Sequence, residues 1–168
     1  MDAACLVTLG ANLGWNTWEG SFRYLSREGV SLDNVRGDQN VTYPLAEYAH
    51  KDPLLQSRSS VTGLIIYRAN EISQLKNLVL WGDLPSGEIF YLDADNLPNG
   101  GQAGIRRVLL NVDGESKTLL EVIQAKNREQ RREPSVRADL RFGTGPNGQV
   151  FILNKGDGVI RRLVPNDQ

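Results

Sequence analysis

One cysteine, Cys5, and one histidine, His50, are all that the 168 residues offer of the two side chains most used in covalent and metal chemistry. A single thiol permits no internal disulfide, and Cys5 with His50 falls short of the three or four protein ligands of a zinc site. No stretch approaches the roughly 20 consecutive apolar residues that span a bilayer, and the opening MDAACLVTLG lacks the basic region and long apolar core of a signal peptide. No membrane partner is therefore expected. Charge of one sign is also missing: 19 Lys and Arg face 20 Asp and Glu, for a net charge of −1. Nucleic acid is excluded as a partner on that ground, because neutralising phosphates needs a clustered excess of cations. Only the run from Lys126 to Arg132 is locally basic, and it reads as a solvated loop. With 40% hydrophobic and 23% charged residues the chain is nevertheless a folded domain, not a disordered one.

What the sequence does have is punctuation. Its 17 Gly and 7 Pro are spread between short apolar runs, as expected where many strands are joined by tight turns. Strands are predicted at Val61–Tyr67, Leu78–Trp81, Glu88–Leu92, Ile105–Leu110, Val136–Phe142, Val150–Leu153 and Val159–Val164, all rich in β-branched or aromatic residues. The turns GDLPSG (82–87), GTGPNG (143–148) and KGDG (155–158) should each join two neighbours as a hairpin, since Gly accepts positive φ and Pro presets a turn. Lys117–Arg132 carries apolar residues at 119, 120, 122 and 123 and suits one short amphipathic helix. An internal echo pairs LVLWGDLPSGEIFYLD with VFILNKGDGVIRRLV. The second run begins after Gly158 where the first begins after Gly87, a spacing longer than the roughly 40–50 residues of a propeller blade, with the helical insertion taking up the excess.

Four stretches taken in order resemble a known family: Gly10–Gly20 (GANLGWNTWEG), Tyr43–His50 (YPLAEYAH), Val61–Gly87 with its continuation EIFYLDAD, and Arg137–Leu163 (RADLRFGTGPNGQVFILNKGDGVIRRL). They are similar to the C-terminal third of the soluble quinoprotein sugar dehydrogenases, six-bladed β-propellers of the glucose, aldose and sorbosone dehydrogenase type. The resemblance implies an all-β, partial β-propeller of about two four-stranded antiparallel blades with one short helix. It divides a single unit into residues 1–40 (an incoming blade remnant and loop), 41–112 (a first blade) and 113–168 (an insertion and the last blade). A closed propeller needs at least about four blades. The chain is thus expected either to belong to a larger propeller or to complete its ring with further copies, a dimer or a trimer, with ACLVTL near the N-terminus as the local alternative for closing the sheet.

The function that the resemblance implies is oxidation of an aldose or related small sugar, with pyrroloquinoline quinone and calcium as cofactors and a periplasmic or secreted location. The family's catalytic histidine and calcium ligands belong to earlier blades, so no catalytic residue and no metal ligand is assigned here, and the isolated chain is expected to be inactive. Arg137 and Arg141 are the candidate cofactor-binding residues, because the quinone carries carboxylates and a guanidinium fork pairs with a carboxylate bidentately. On one strand face, Arg137, Asp139 and Arg141 would equally form a ladder that only stabilises the blade. The family's cofactor lysine falls in GDLPSG, where this chain has Pro85 and Ser86.

Other residues invite chemistry and have plainer readings. His50 reads as a structural histidine near Asp52 and Glu47. Trp15, Trp18 and Trp81 are candidate sugar platforms but suit a core equally well. Asp93, Asp95, Asn96 and Asn99 fail the EF-hand pattern, since Leu97 and Gly104 stand where ligands belong. A second function therefore stands beside the first: a non-catalytic, propeller-derived binding or assembly module.

Overall fold

A computed structural model describes residues 1–55 and 59–166. The chain divides into two compact units, one formed by Met1–His50 with Leu97–Gly104 and the other by the rest.

The first unit is built from very short strands. β1 (Asp2–Ala4) pairs antiparallel with β5 (Ala46–Tyr48), and β2 (Trp18–Glu19), β3 (Phe22–Tyr24) and β4 (Val30–Ser31) form a three-stranded meander. All but β5 lie in residues 1–40, read from sequence as a blade remnant and loop; β5 falls within 41–112, read as the first blade. ACLVTL is not a strand over its length: pairing stops at Ala4, and Leu6, Val7 and Leu9 are exposed.

The second unit holds the larger sheet, an antiparallel meander of β6 (Val61–Ile66), β7 (Leu78–Asp83), β8 (Ile89–Asp93) and β9 (Arg106–Val108). After it come a small hairpin, β10 (Leu110–Val112) with β11 (Glu115–Lys117), and the helix α1 (Leu119–Glu129). A second meander closes the chain: β12 (Arg141–Thr144), β13 (Val150–Leu153) and β14 (Arg161–Arg162). The protein is thus mostly β with one short helix, and the three predicted hairpin turns join β7 to β8, β12 to β13 and β13 to β14. One antiparallel sheet has four strands, and the others have two or three among the described residues.

Three strands differ from the sequence reading, the first being the run predicted at Val159–Val164, which is strand only at Arg161–Arg162. The single run predicted at Ile105–Leu110 breaks at Leu109, so that Leu110–Val112 pairs with β11 and not within the larger sheet. The run predicted at Val136–Phe142 becomes strand only from Arg141, because Asp139 takes a left-handed φ of 49° that no pleated strand accommodates.

The core explains the arrangement. Leu140, just before β12, and Ile152 of β13 pack onto Ile89, while Leu119, Leu120 and Ile123 close over them from one face of α1. A second cluster of Tyr67, Ile72, Leu80 and Val150 continues the contact between sheets. Close approach depends on two glycines. A Cβ on Gly63, at the bulge of β6, would stand 2.9 Å from the Phe142 ring, and one on Gly82 would overlap Leu140. The helix begins where Thr118 accepts from the Glu121 backbone and Glu121 reaches back to the Thr118 N–H, a reciprocal capping box.

Candidate functional site

Family resemblance singles out two segments, the turn after β7 and the stretch leading into β12, and both lie in the second unit. The turn is held by a buried carboxylate. Asp83, wholly buried, accepts from the Ser60 N–H at 2.7 Å and the Ser86 N–H at 2.9 Å, and also from the Ser86 hydroxyl. The same hydroxyl accepts from the Glu88 N–H at 3.2 Å. This satisfaction of a buried charge fixes the turn's backbone, so that the Leu84 and Pro85 carbonyls face outward from it. Those carbonyls accept from Leu140 N–H at 3.1 Å and Ala138 N–H at 2.8 Å. The structure therefore brings the two nominated segments together, through the backbone.

Pinned at 138 and 140, the segment turns those two side chains inward and leaves the flanking arginines outside. Ala138 and Leu140 are buried, while Arg137 and Arg141 are exposed. Arg137, with 48% of its side chain accessible, pairs with Asp139 at 3.0 Å. Arg141 donates from Nη1 to the Leu140 carbonyl at 2.8 Å. Half of the anticipated Arg-Asp-Arg ladder is thus present, as a pair on a bent segment rather than on a flat strand face. A guanidinium has five N–H donors, so one carboxylate partner leaves Arg137 with donors for another anion.

A shallow cleft of about 440 Å³ lies beside the turn, lined by Ser86, Glu88, Thr118, Glu121, Gln124 and Val136 among others. Glu88 is nearly buried and holds Arg107 in two parallel bonds of 2.8 Å. Hydrogen bonds from the Thr118 backbone and hydroxyl hold the Glu121 carboxyl below its ordinary pKa. A larger apolar groove of about 600 Å³ runs between Leu75, Val108, Leu110, Val122 and Leu163, and neither candidate arginine lines it.

The remaining nominated residues are dispersed. His50, in the first unit, lies 3.8 Å from Asp2 and 4.0 Å from Glu19. Trp18 and Trp81 are core residues, whereas Trp15 is 70% exposed and leans on Tyr24 with ring centroids 5.0 Å apart. Cys5 is a weak nucleophile: burial, and then the Glu47 carboxylate, raise its pKa and keep the thiol protonated. Asp93 and Asp95 serve the turn after β8, Asp93 by accepting the Asp95 N–H and Asp95 by accepting from the Asn77 amide. Among the described residues no three His, Cys, Asp or Glu side chains converge to hold a metal ion. Of the groups that the resemblance implies, the described residues offer a carboxylated cofactor the half-exposed guanidinium of Arg137.

Sequence reasoning missed the charged pairs that organise this unit. Asp157, buried, accepts from the Val159 N–H at 2.9 Å and pairs with Arg161, while the buried Asn127 of α1 donates to the Gly156 carbonyl and accepts from Ser135. The signals were there: an Asp-Gly turn with Arg four residues on, and Thr-x-x-Glu before an apolar run.

A curated protein from Arabidopsis thaliana, described as HIPL2 protein, is 34% identical to the chain over 82 residues. The match takes in 47% of this chain and 11% of that protein, so the chain spans about a tenth of the relative's length. No protein-family model and no solved structure matches the chain.

Proposed function

We propose that the chain contributes neighbouring blades to a larger propeller of the quinoprotein sugar dehydrogenase type and oxidises a sugar only in that setting. The observation that carries this reading is the junction of the GDLPSG turn with the RADLR segment by two backbone hydrogen bonds, beside an accessible Arg137. Two consecutive antiparallel meanders packed against each other through a shared core add support, since a blade is such a meander. In this role Arg137 offers a cation to a carboxylate of the quinone. The proton acceptor and the calcium ligands come from other segments.

Partners follow from the same reading. β6 and β14 are end strands, each paired on one side only among the described residues, and Leu64, Ile66, Ile160 and Val164 are exposed on or beside them. Remaining blades of a longer protein, or further copies of this chain, cover such edges.

The test is dye reduction with several aldoses, quinone and calcium supplied. The isolated chain is expected to show no turnover; in the longer protein the activity is present, and Arg137→Ala weakens quinone binding. Turnover by the isolated chain that His50→Ala abolishes would reverse the assignment. A longer protein that binds no quinone leaves the non-catalytic assembly module as the function.

A further inference from the structure

Thirteen asparagines occur in the chain, and Asn40 alone has a hydroxyl residue two positions on, in Asn40-Val41-Thr42 with no proline between. That spacing is the acceptor pattern for N-linked glycans, which also demands a surface position. The fold supplies it. Asn40 is exposed in the loop between β4 and β5, at a turn in which Val41 donates its N–H to the Asp38 carbonyl. Buried Asn127, at 1% exposure, shows the opposite case, since a glycan there would break the helix from its loop.

The local bonds tolerate the modification. The Asn40 backbone N–H donates to Asp38 Oδ1 at 2.9 Å, and the side-chain amide makes one longer bond of 3.3 Å to the same oxygen. A glycosylated amide keeps one N–H, so that bond need not be lost. Thr42 is fixed by its own backbone N–H, which donates to the Asn12 carbonyl at 2.7 Å, and its hydroxyl plays no part in that bond.

From this we infer that Asn40 is an N-glycan acceptor, an inference that rests on the secreted location proposed by resemblance. The donor is an oligosaccharide linked to a polyprenyl diphosphate. Asn40 Nδ2 forms a bond to the sugar's anomeric carbon as the bond from that carbon to the phosphate oxygen breaks. The polyprenyl diphosphate leaves with the electron pair, and Nδ2 gives up one proton.

The experiment is secretion of the full chain from eukaryotic cells behind a cleavable leader, followed by intact mass and peptide mapping with and without peptide-N-glycosidase. A removable mass on the peptide containing Asn40 is expected, absent in Asn40→Gln, retained in Thr42→Ser and unaffected by Asn16→Gln. Leader cleavage without any glycan at Asn40 overturns the site. A glycan on chain that is never exported from the cell supports the site and counts against the secreted location, so the two failures are distinguishable.

Discussion

Replacing Asp157 with Asn should unlatch the hairpin between β13 and β14. The carboxylate is fully buried, accepts from the Val159 N–H, and pairs with an Arg161 whose side chain is 19% exposed. Breaking a deeply buried pair by removing one partner costs about 3–5 kcal/mol, and a hydrogen bond to a charged group about 1.5–3 kcal/mol. Arg161 keeps its 3.5 Å bond to the Val159 carbonyl and a path to water, which brings the expected loss to about 2–3 kcal/mol. For a chain of this size that is a fall of about 5–10 °C in melting temperature. Burial by itself would raise the Asp157 pKa, but the Arg161 guanidinium and the Val159 N–H outweigh it and hold the group below its ordinary value. A depressed pKa gives stability that is complete above the unfolded carboxylate value near ~3.9 and is lost as pH falls through the folded one. Thermal melts of wild type and Asp157→Asn should therefore differ most at neutral pH and converge below about pH 4. Adding Arg161→Met should recover part of the loss, since the penalty is an unpaired buried cation. A variant within about 0.5 kcal/mol of wild type at neutral pH, or a gap unchanged in acid, would refute the reasoning.

Leu140→Ala should cost about 3–4 kcal/mol in urea denaturation, because Leu140 is fully buried where α1 and both meanders meet, whereas Ile160→Ala, at a 67% exposed position, should cost less than about 0.5 kcal/mol. Gly82→Ala should cost about 1–3 kcal/mol through overlap with Leu140, and less in a Leu140→Ala background; additive costs would mean that the two do not touch. Arg137→Ala should change the stability of the isolated chain by under about 1 kcal/mol, since its pair with Asp139 is largely in water; a larger loss would make the arginine a structural residue first.

The strands that sequence reading placed well are those in which local pattern and tertiary demand agree. VTGLIIY, LVLW and VFIL are β-prone and end at turn residues, and each lies within a strand or within a residue or two of its ends. Agreement fails where a segment serves something other than a ladder. RADLR has the alternation of a strand, yet its backbone donors go to the Leu84 and Pro85 carbonyls, a partner that no periodicity encodes, and Asp139 turns left-handed to allow it. The two- and three-residue strands of the first unit were illegible for another reason: Trp18–Glu19 or Val30–Ser31 is too short to show any period.

The candidate site was legible only as two separate stretches of sequence. That GDLPSG and RADLR meet depends on Asp83, whose buried carboxylate sets the direction of the turn's carbonyls, and on Leu140, whose burial against Ile89 and Ile152 draws the second stretch down. Neither residue would carry any chemistry itself. Each would act through the placement of Arg137, the side chain left outside when its neighbours 138 and 140 are tied down. Loss of the turn and loss of the guanidinium should therefore be separable. Asp83→Asn would leave a charged Arg137 in a displaced backbone, and Arg137→Ala would leave the backbone without its cation. If quinone affinity in the longer protein falls equally in both, position matters as much as charge, and the site is one that no inspection of residue types along the chain would have assembled.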